Sequence, residues 1–396
     1  MDNKMRMIQG FKASAVRAGL KKNNALDLAL IFSEKEATAA GVFTTNKVKA
    51  APVLVTRGHI ADGKARAIIA NAGNANACTG ENGLDNARHT TELVAKALGL
   101  RADEVLVSST GVIGQPLNMD LISRAIPDLV NALSPEGITS AAQAIMTTDS
   151  FPKISQIEGR AGDHIYRIQG IAKGAGMIMP NMATMLSFIM SDIRIGADEL
   201  QKALLSSVEG TFNRITVDGD TSTNDTVLVL ANGMAGNGPL SEMDYRGFTD
   251  GLKQVMGELA RMIVRDGEGA TKVIDILVKG AHSSSDAISA ARAVANSSLV
   301  KTAFYGQDPN WGRIIAALGR ADIQMEEAHV DIWVDDIQIV TSGLGNGPEA
   351  EKKAAEKMTR KEFSVTIDLH QGFFQDRIVT CDLTHDYVSI NADYRS

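Results

Sequence analysis

Thr184 lies in the run Lys173-Gly-Ala-Gly-Met-Ile-Met-Pro-Asn-Met-Ala183-Thr184-Met-Leu-Ser-Phe-Ile-Met190, between a segment bent by two glycines and Pro180 and an apolar stretch that reads as a buried strand. A threonine at the head of a chain is a self-contained nucleophile. Its freed α-amine, with a reference pKa of about 7.7–8.0, sits beside the Cβ hydroxyl and can take its proton. Such an N-terminus arises if the Ala183–Thr184 peptide bond breaks. Ordinary Ala-Thr bonds are inert, so the segment must turn the Thr184 hydroxyl onto the preceding carbonyl, giving an N-to-O acyl shift and an ester that water opens. Pro180 and the glycines suit that bend. The competing reading is a Pro-Asn turn with Thr184 as the first residue of a β-strand.

Other residues capable of chemistry are sparse. Cys78 and Cys381 are the only cysteines, too few for a disulfide framework and too far apart for a paired metal-ligand motif, which favours a reduced compartment. The seven histidines are scattered, with no HExxH and no CxxC, so no metal is expected. Gly343-Leu-Gly-Asn-Gly347-Pro348 lacks GxGxxG spacing and reads as a turn leading into a helix. Asp218-Gly-Asp220 with Asp225 does not fit a calcium loop and reads as scaffolding. No cofactor is implied.

The elements that must position Thr184 follow from periodicity. Strands are predicted over 26–32, 66–71, 104–108, 165–171, 185–190, 226–231, 273–279, 329–340, 363–369 and 377–383, and helices over 86–98, 134–146, 197–208, 286–300 and 348–358. This alternation predicts an α/β (α+β layered) fold, with antiparallel pairing near the C-terminus. Length and 44% hydrophobic content allow a large core and two or three domains. The stretch 185–190 is too apolar to be a linker, so a cut before Thr184 would leave fragments 1–183 and 184–396 sharing one core. A net charge of −7 and no basic cluster argue against nucleic acid. No signal-peptide pattern and no run of 18 apolar residues is present, so no membrane partner and a cytoplasmic location are expected.

Seven further blocks run in order along the chain: Gly41-Val-Phe-Thr-Thr-Asn46, Asn71-Ala-Gly-Asn-Ala-Asn76, Ser109-Thr-Gly-Val-Ile-Gly114, Met146-Thr-Thr-Asp149, Asp218-Gly-Asp-Thr-Ser-Thr-Asn-Asp225, Gly306-Gln-Asp-Pro-Asn-Trp-Gly-Arg313 and Asn391-Ala-Asp-Tyr-Arg395. With these and the Pro-Asn-Met-Ala-Thr-Met-Leu motif, the chain resembles the ornithine acetyltransferase family of arginine biosynthesis, also called glutamate N-acetyltransferase, whose members cut themselves within that motif. The chain departs from the family at Ser396, where threonine is usual and a hydroxyl is kept, and at Met179, where histidine is frequent.

The resemblance implies an N-terminal-nucleophile-like, self-processing architecture with sheets sandwiched by helices. It implies Thr184 as the catalytic nucleophile after cleavage behind Ala183, and Thr110 and Gly111 as the oxyanion hole. Lys173 matches the family's substrate-binding lysine and Thr147 its hydroxyl partner, with Thr148 the adjacent hydroxyl. Glu268, Asn391 and Ser396 match further substrate contacts, Glu268 handling the ornithine amine or a proton in transfer. The implied reaction moves acetyl from N2-acetylornithine to glutamate through an acetyl-Thr184 ester, with acetyl-CoA as a second candidate donor, in an α2β2 assembly. Two other classes use the same features: a self-processing amidohydrolase or aminopeptidase in which water resolves the acyl-enzyme, and a non-catalytic amino-acid-binding protein.

Overall fold

Two runs, Leu186–Ser191 and Thr226–Ala231, have every residue buried. A strand covered on both faces has no reason to alternate, so it is written as a continuous apolar word. These two strands pair in parallel at the middle of a sheet, with Leu186 opposite Thr226. The computed structural model describes residues 7–179 and 185–393. The chain forms two units, one from residues 1–213 and 220–263, the other from residues 214–219 and 264–396.

The described part of the first unit carries, in chain order, β1 (Phe11–Val16), β2 (Leu28–Phe43), α1 (Ala51–His59), β3 (Lys64–Asn74), α2 (Gly80–Leu98), β4 (Val105–Val112), α3 (Met119–Asn131), α4 (Ile138–Ala144), β5 (Lys153–Ala161), β6 (His164–Lys173), β7 (Leu186–Ser191), α5 (Ala197–Glu209), β8 (Thr226–Ala231) and α6 (Glu242–Arg265), whose last two residues belong to the second unit. Its sheet runs β4-β3-β2-β8-β7-β6-β5, with β1 paired to β2. Alternation sorts the side chains of β2. Leu28 and Leu30 join Val94, Ile122 and Leu129 of α2 and α3 on one face, while Ala29 and Ile31 join Ile138 and Ala141 of α4 on the other. The sheet is thus layered by helices on both sides.

The second unit holds β9 (Val273–Ala281), α7 (Ser284–Ala295), α8 (Ser298–Tyr305), α9 (Trp311–Gly319), β10 (Asp331–Val334), β11 (Ile337–Thr341), β12 (Leu344–Gly345), α10 (Pro348–Met358), β13 (Glu362–Asp368), β14 (Phe374–Cys381) and α11 (His385–Ala392). Its six strands run β12-β11-β10-β13-β9-β14, antiparallel except for the β13–β9 pair. One core joins β9, β13 and β14 to Ala287, Ala291 and Val294 of α7 and to Phe304 of α8.

The α/β layered fold agrees with the pattern of the sequence, and the departures have local causes. The strand predicted over 329–340 is a hairpin, because Asp335 takes a left-handed φ of 50° and turns the chain. The helix predicted over 286–300 is two, since Ser297 caps a new helix by accepting from the Val300 N–H. The segment 134–146 is helical only over Ile138–Ala144. α6, not predicted, buries Phe248, Leu252, Val255, Met256, Leu259 and Ile263 at a helical period.

Candidate active site

In the first unit, β6 and β7 form an antiparallel pair from Ile168 opposite Ser191 to Lys173 opposite Leu186. The connection between them, residues 174–185, contains Ala183 and Thr184. Thr184 and Ser396 lie outside the described residues. The pairing fixes the two ends of the connection at Lys173 and Leu186, in the middle of the sheet.

Lys173 is 8% exposed, and its Nζ donates to the Thr110 hydroxyl at 3.4 Å. A hydroxyl that accepts from an ammonium still has its own hydrogen to donate, and the cation strengthens it as a donor toward developing negative charge. Thr110 and Gly111 close β4, where β3 runs parallel with Gly73 opposite Gly111. Gly111 has a φ of 134°, and a Cβ there would lie 2.3 Å from the Gly73 carbonyl carbon and 2.5 Å from the Asn74 nitrogen. Only glycine fits, and the two backbones run in close contact there.

Buried amides hold that strand end. Ser109 Oγ donates to Asn71 Oδ1 at 2.6 Å, Asn71 Nδ2 donates to the Asn74 carbonyl at 2.9 Å, and Asn224 Nδ2 donates to the Ala75 and Ser109 carbonyls at 2.6 and 2.8 Å. The block Asn71–Asn76 is therefore the scaffold of the Thr110–Gly111 end of β4.

Thr147 is joined through Asp149 to Gly174, the residue after Lys173. The Thr147 N–H donates to Asp149 Oδ2 at 2.9 Å, and Asp149 Oδ1 accepts from the Gly174 N–H at 2.6 Å and from Lys153 Nζ at 2.7 Å. Lys153 and Asp149 side chains are fully buried. Burial alone would raise the Asp149 carboxyl; the charges of Lys173 and Lys153 and these hydrogen bonds overcome it and hold the group down at about 2. Lys21 adds a third cation: its Nζ donates to the Leu26 and Ala144 carbonyls at 2.7 and 3.2 Å, and burial lowers it, with Lys173 acting in the same direction and Asp27 and Asp149 opposing. Lys21, Lys153 and Lys173 thus outnumber the two buried carboxylates, Asp27 and Asp149, that act on them.

Asp225 is a further buried acid, 2% exposed. Burial pushes it well above the usual carboxylate range, against the Lys173 charge and hydrogen bonds from the Met185 N–H and from Ser222. Asp149, Lys153, Lys21, Asn71, Asn224 and Asp225 were not singled out as site residues from sequence. The blocks that contain Asp149, Asn71, Asn224 and Asp225 were the available signal; Lys153 and Lys21 lie outside any block.

In the second unit, Glu268 and Asn391 are brought together: Asn391 Nδ2 donates to Glu268 Oε2 at 2.7 Å and to the Tyr387 carbonyl at 3.0 Å. Glu268 is 8% exposed in a loop tied down at its far side, where the Thr271 and Lys272 N–H groups donate to Asp382 Oδ1 at 2.8 and 3.0 Å and the Thr384 hydroxyl to the Gly269 carbonyl at 2.8 Å. Gly269, with a φ of 68°, passes so close that a Cβ would meet the Tyr387 nitrogen at 2.7 Å.

The pattern of the ArgJ family matches residues 12–396. The chain belongs to the ArgJ family. It is 51% identical over 391 residues to the arginine biosynthesis bifunctional protein ArgJ of Geobacter sulfurreducens, covering 98% of this chain and all of that protein. It is 46% identical over 398 residues to the glutamate N-acetyltransferase of Methanocaldococcus jannaschii, covering 98% and 97%. The crystal structure of the arginine biosynthesis bifunctional protein argJ from Bacillus halodurans superposes with a TM-score of 0.51 at 42% identity, covering 53% of this chain and 99% of that polypeptide. The chain is an acyltransferase of arginine biosynthesis.

Proposed function

We propose that the protein cuts itself between Ala183 and Thr184 and then, as a glutamate N-acetyltransferase, transfers acetyl from N2-acetylornithine to glutamate. The observation that carries this reading is the contact of Lys173 with Thr110 at the end of the β6–β7 pair whose connection contains Thr184. The half-length polypeptide of the Bacillus halodurans structure supports it, being the size of one fragment after such a cut.

In the transfer, the Thr184 hydroxyl attacks the acetyl carbonyl while its own α-amine takes the proton. Thr110 and the Gly111 N–H donate to the oxyanion as it forms. The proton passes to the leaving nitrogen, ornithine departs, and the acetyl-Thr184 ester is attacked by the α-amine of glutamate. Donor and acceptor share an α-carboxylate, for which Lys173, with Thr147 beside it, supplies the cation. Glu268, with Asn391 and Ser396, is assigned to the amino-acid substrate, Glu268 handling the ornithine amine or a proton. The word bifunctional in the name of the Geobacter sulfurreducens relative supports acetyl-CoA as a second donor. We place the enzyme in the cytoplasm as an α2β2 assembly.

Intact-mass measurement of the purified protein, followed by acetyl-transfer assays, tests the proposal. Two fragments ending at Ala183 and beginning at Thr184 are expected, with acetylornithine consumed only when glutamate is present. Thr184→Val should abolish both cleavage and transfer. Consumption independent of glutamate would make the protein a hydrolase, and transfer by an uncut chain would remove the N-terminal nucleophile.

A further inference from the structure

A cation buried inside a protein ordinarily has an anion bonded to it. Lys173 departs from that rule. It is 8% exposed, yet among the described residues its ammonium donates only to the Thr110 hydroxyl, at 3.4 Å, and no carboxylate is bonded to it. Two of its three N–H groups therefore remain for a ligand anion.

The buried carboxylate of Asp149 is committed elsewhere. Its Oδ1 accepts from the Gly174 N–H at 2.6 Å and from Lys153 Nζ at 2.7 Å, and its Oδ2 accepts from the Thr147 N–H at 2.9 Å. Lys153 opens β5 and Lys173 closes β6, and Lys153 pairs with Ala172, so the two lysines stand at the same end of one hairpin. Lys153, with its side chain fully buried, takes the carboxylate, and Lys173 keeps its charge for something else. The two N–H bonds join separate segments. Threonine is stiff at χ1, so fixing the backbone of Thr147 aims its hydroxyl. Lys173 is paired to Leu186 on one side, and holding Gly174 fixes the chain on the other.

We propose that Asp149 is a positioning residue of the acyl transfer, its two oxygens holding Thr147 and Lys173 at the spacing that grips the α-carboxylate common to donor and acceptor. This rests on the reading of Lys173 and Thr147 as the substrate-carboxylate site. Asp149 acts through those two residues and touches no reacting atom. The α-carboxylate is unchanged between substrate and transition state, so the binding it supplies is uniform. Weakening that grip raises KM for both substrates and leaves kcat nearly untouched.

Asp149→Asn offers one oxygen where two are needed, so one of the two backbone N–H groups loses its acceptor; Asp149→Ser removes both. These variants are compared with the wild type, with Lys173→Met, and with Leu129→Ala, a cavity variant in the core around α3 that lowers stability away from this site. Intact mass shows whether each chain is cut, thermal melts rank their stability, and steady-state kinetics vary N2-acetylornithine and glutamate, each also as its α-carboxamide. In both Asp149 variants KM for both acids is expected to rise about tenfold or more, the scale of a misplaced hydrogen bond to a charged group, with kcat within about threefold. The α-carboxamides should be weakened no further. Lys173→Met should raise the same two KM values, and Leu129→Ala should melt lower with KM unchanged. Wild-type KM values in either Asp149 variant overturn the proposal, as do equal losses on the carboxamides. Failure of both variants to melt cooperatively, or a folded precursor that stays uncut, assigns Asp149 to folding or maturation and also overturns it. Unchanged KM in Lys173→Met, or no acetyl transfer by the wild type, instead sinks the reading on which the proposal rests.

Discussion

Asp149 shows how one residue can do the work of several contacts. Its two oxygens take the Thr147 and Gly174 N–H groups and the Lys153 ammonium, so it ties the segment before β5 to the end of β6. Removing the charge takes the Asp149 carboxylate from the buried Lys153 ammonium. Asp149→Asn is expected to cost about 3–5 kcal/mol, as breaking one side of a buried pair does, read as a lower urea midpoint at pH 7. The pH sign follows from the depressed carboxyl: its stabilisation is complete above the ordinary carboxylate range and is lost as pH falls through about 2. The wild type should therefore lose stability between about pH 4 and 2 more steeply than Asp149→Asn. Equal slopes in acid urea titrations would contradict the assignment. Asp149 ended a block that was legible in the sequence; its pairing with Lys153 was not, because Lys153 reads locally as one more surface lysine and only burial reveals it.

The informative element is the parallel join of β3 and β4. Parallel strands need a long crossover, here α2, and the two glycine-bearing ends meet only because that crossover returns the chain beside itself. Gly111→Ala puts a Cβ against the Gly73 carbonyl carbon at a φ that L-residues rarely take. We expect a loss of about 1–3 kcal/mol from that strain and, from the oxyanion role proposed for Gly111, a fall in kcat larger than any rise in KM. Steady-state kinetics with a melting curve measure both, and an unchanged kcat would exclude Gly111 from the oxyanion site. The unpredicted helix α6 has a different cause. Its period was plain, but Gly247, Gly251 and Gly257 lower intrinsic helix propensity, and burial of Phe248, Leu252 and Leu259 overrides that.

Across the whole molecule, strands from both sides of residue 183 belong to one sheet: β6 lies before it and β7 and β8 after it, with β2 on the far side of β8. Residue 183 itself lies between β6 and β7, outside every strand of that sheet. The two fragments should co-elute in native size-exclusion chromatography and separate only in denaturant; separation in native buffer would show that they do not share this sheet. By itself the sequence determined the layered fold and the buried centre of the sheet, because apolar runs, helical periods and turn residues act over a few positions. Tertiary structure alone decided the pairing of Lys173 with Thr110, of Asp149 with Lys153 and of Glu268 with Asn391, and the burial of Asp225 beside Met185. These contacts join residues separated in the chain or depend on burial, and a local pattern records neither.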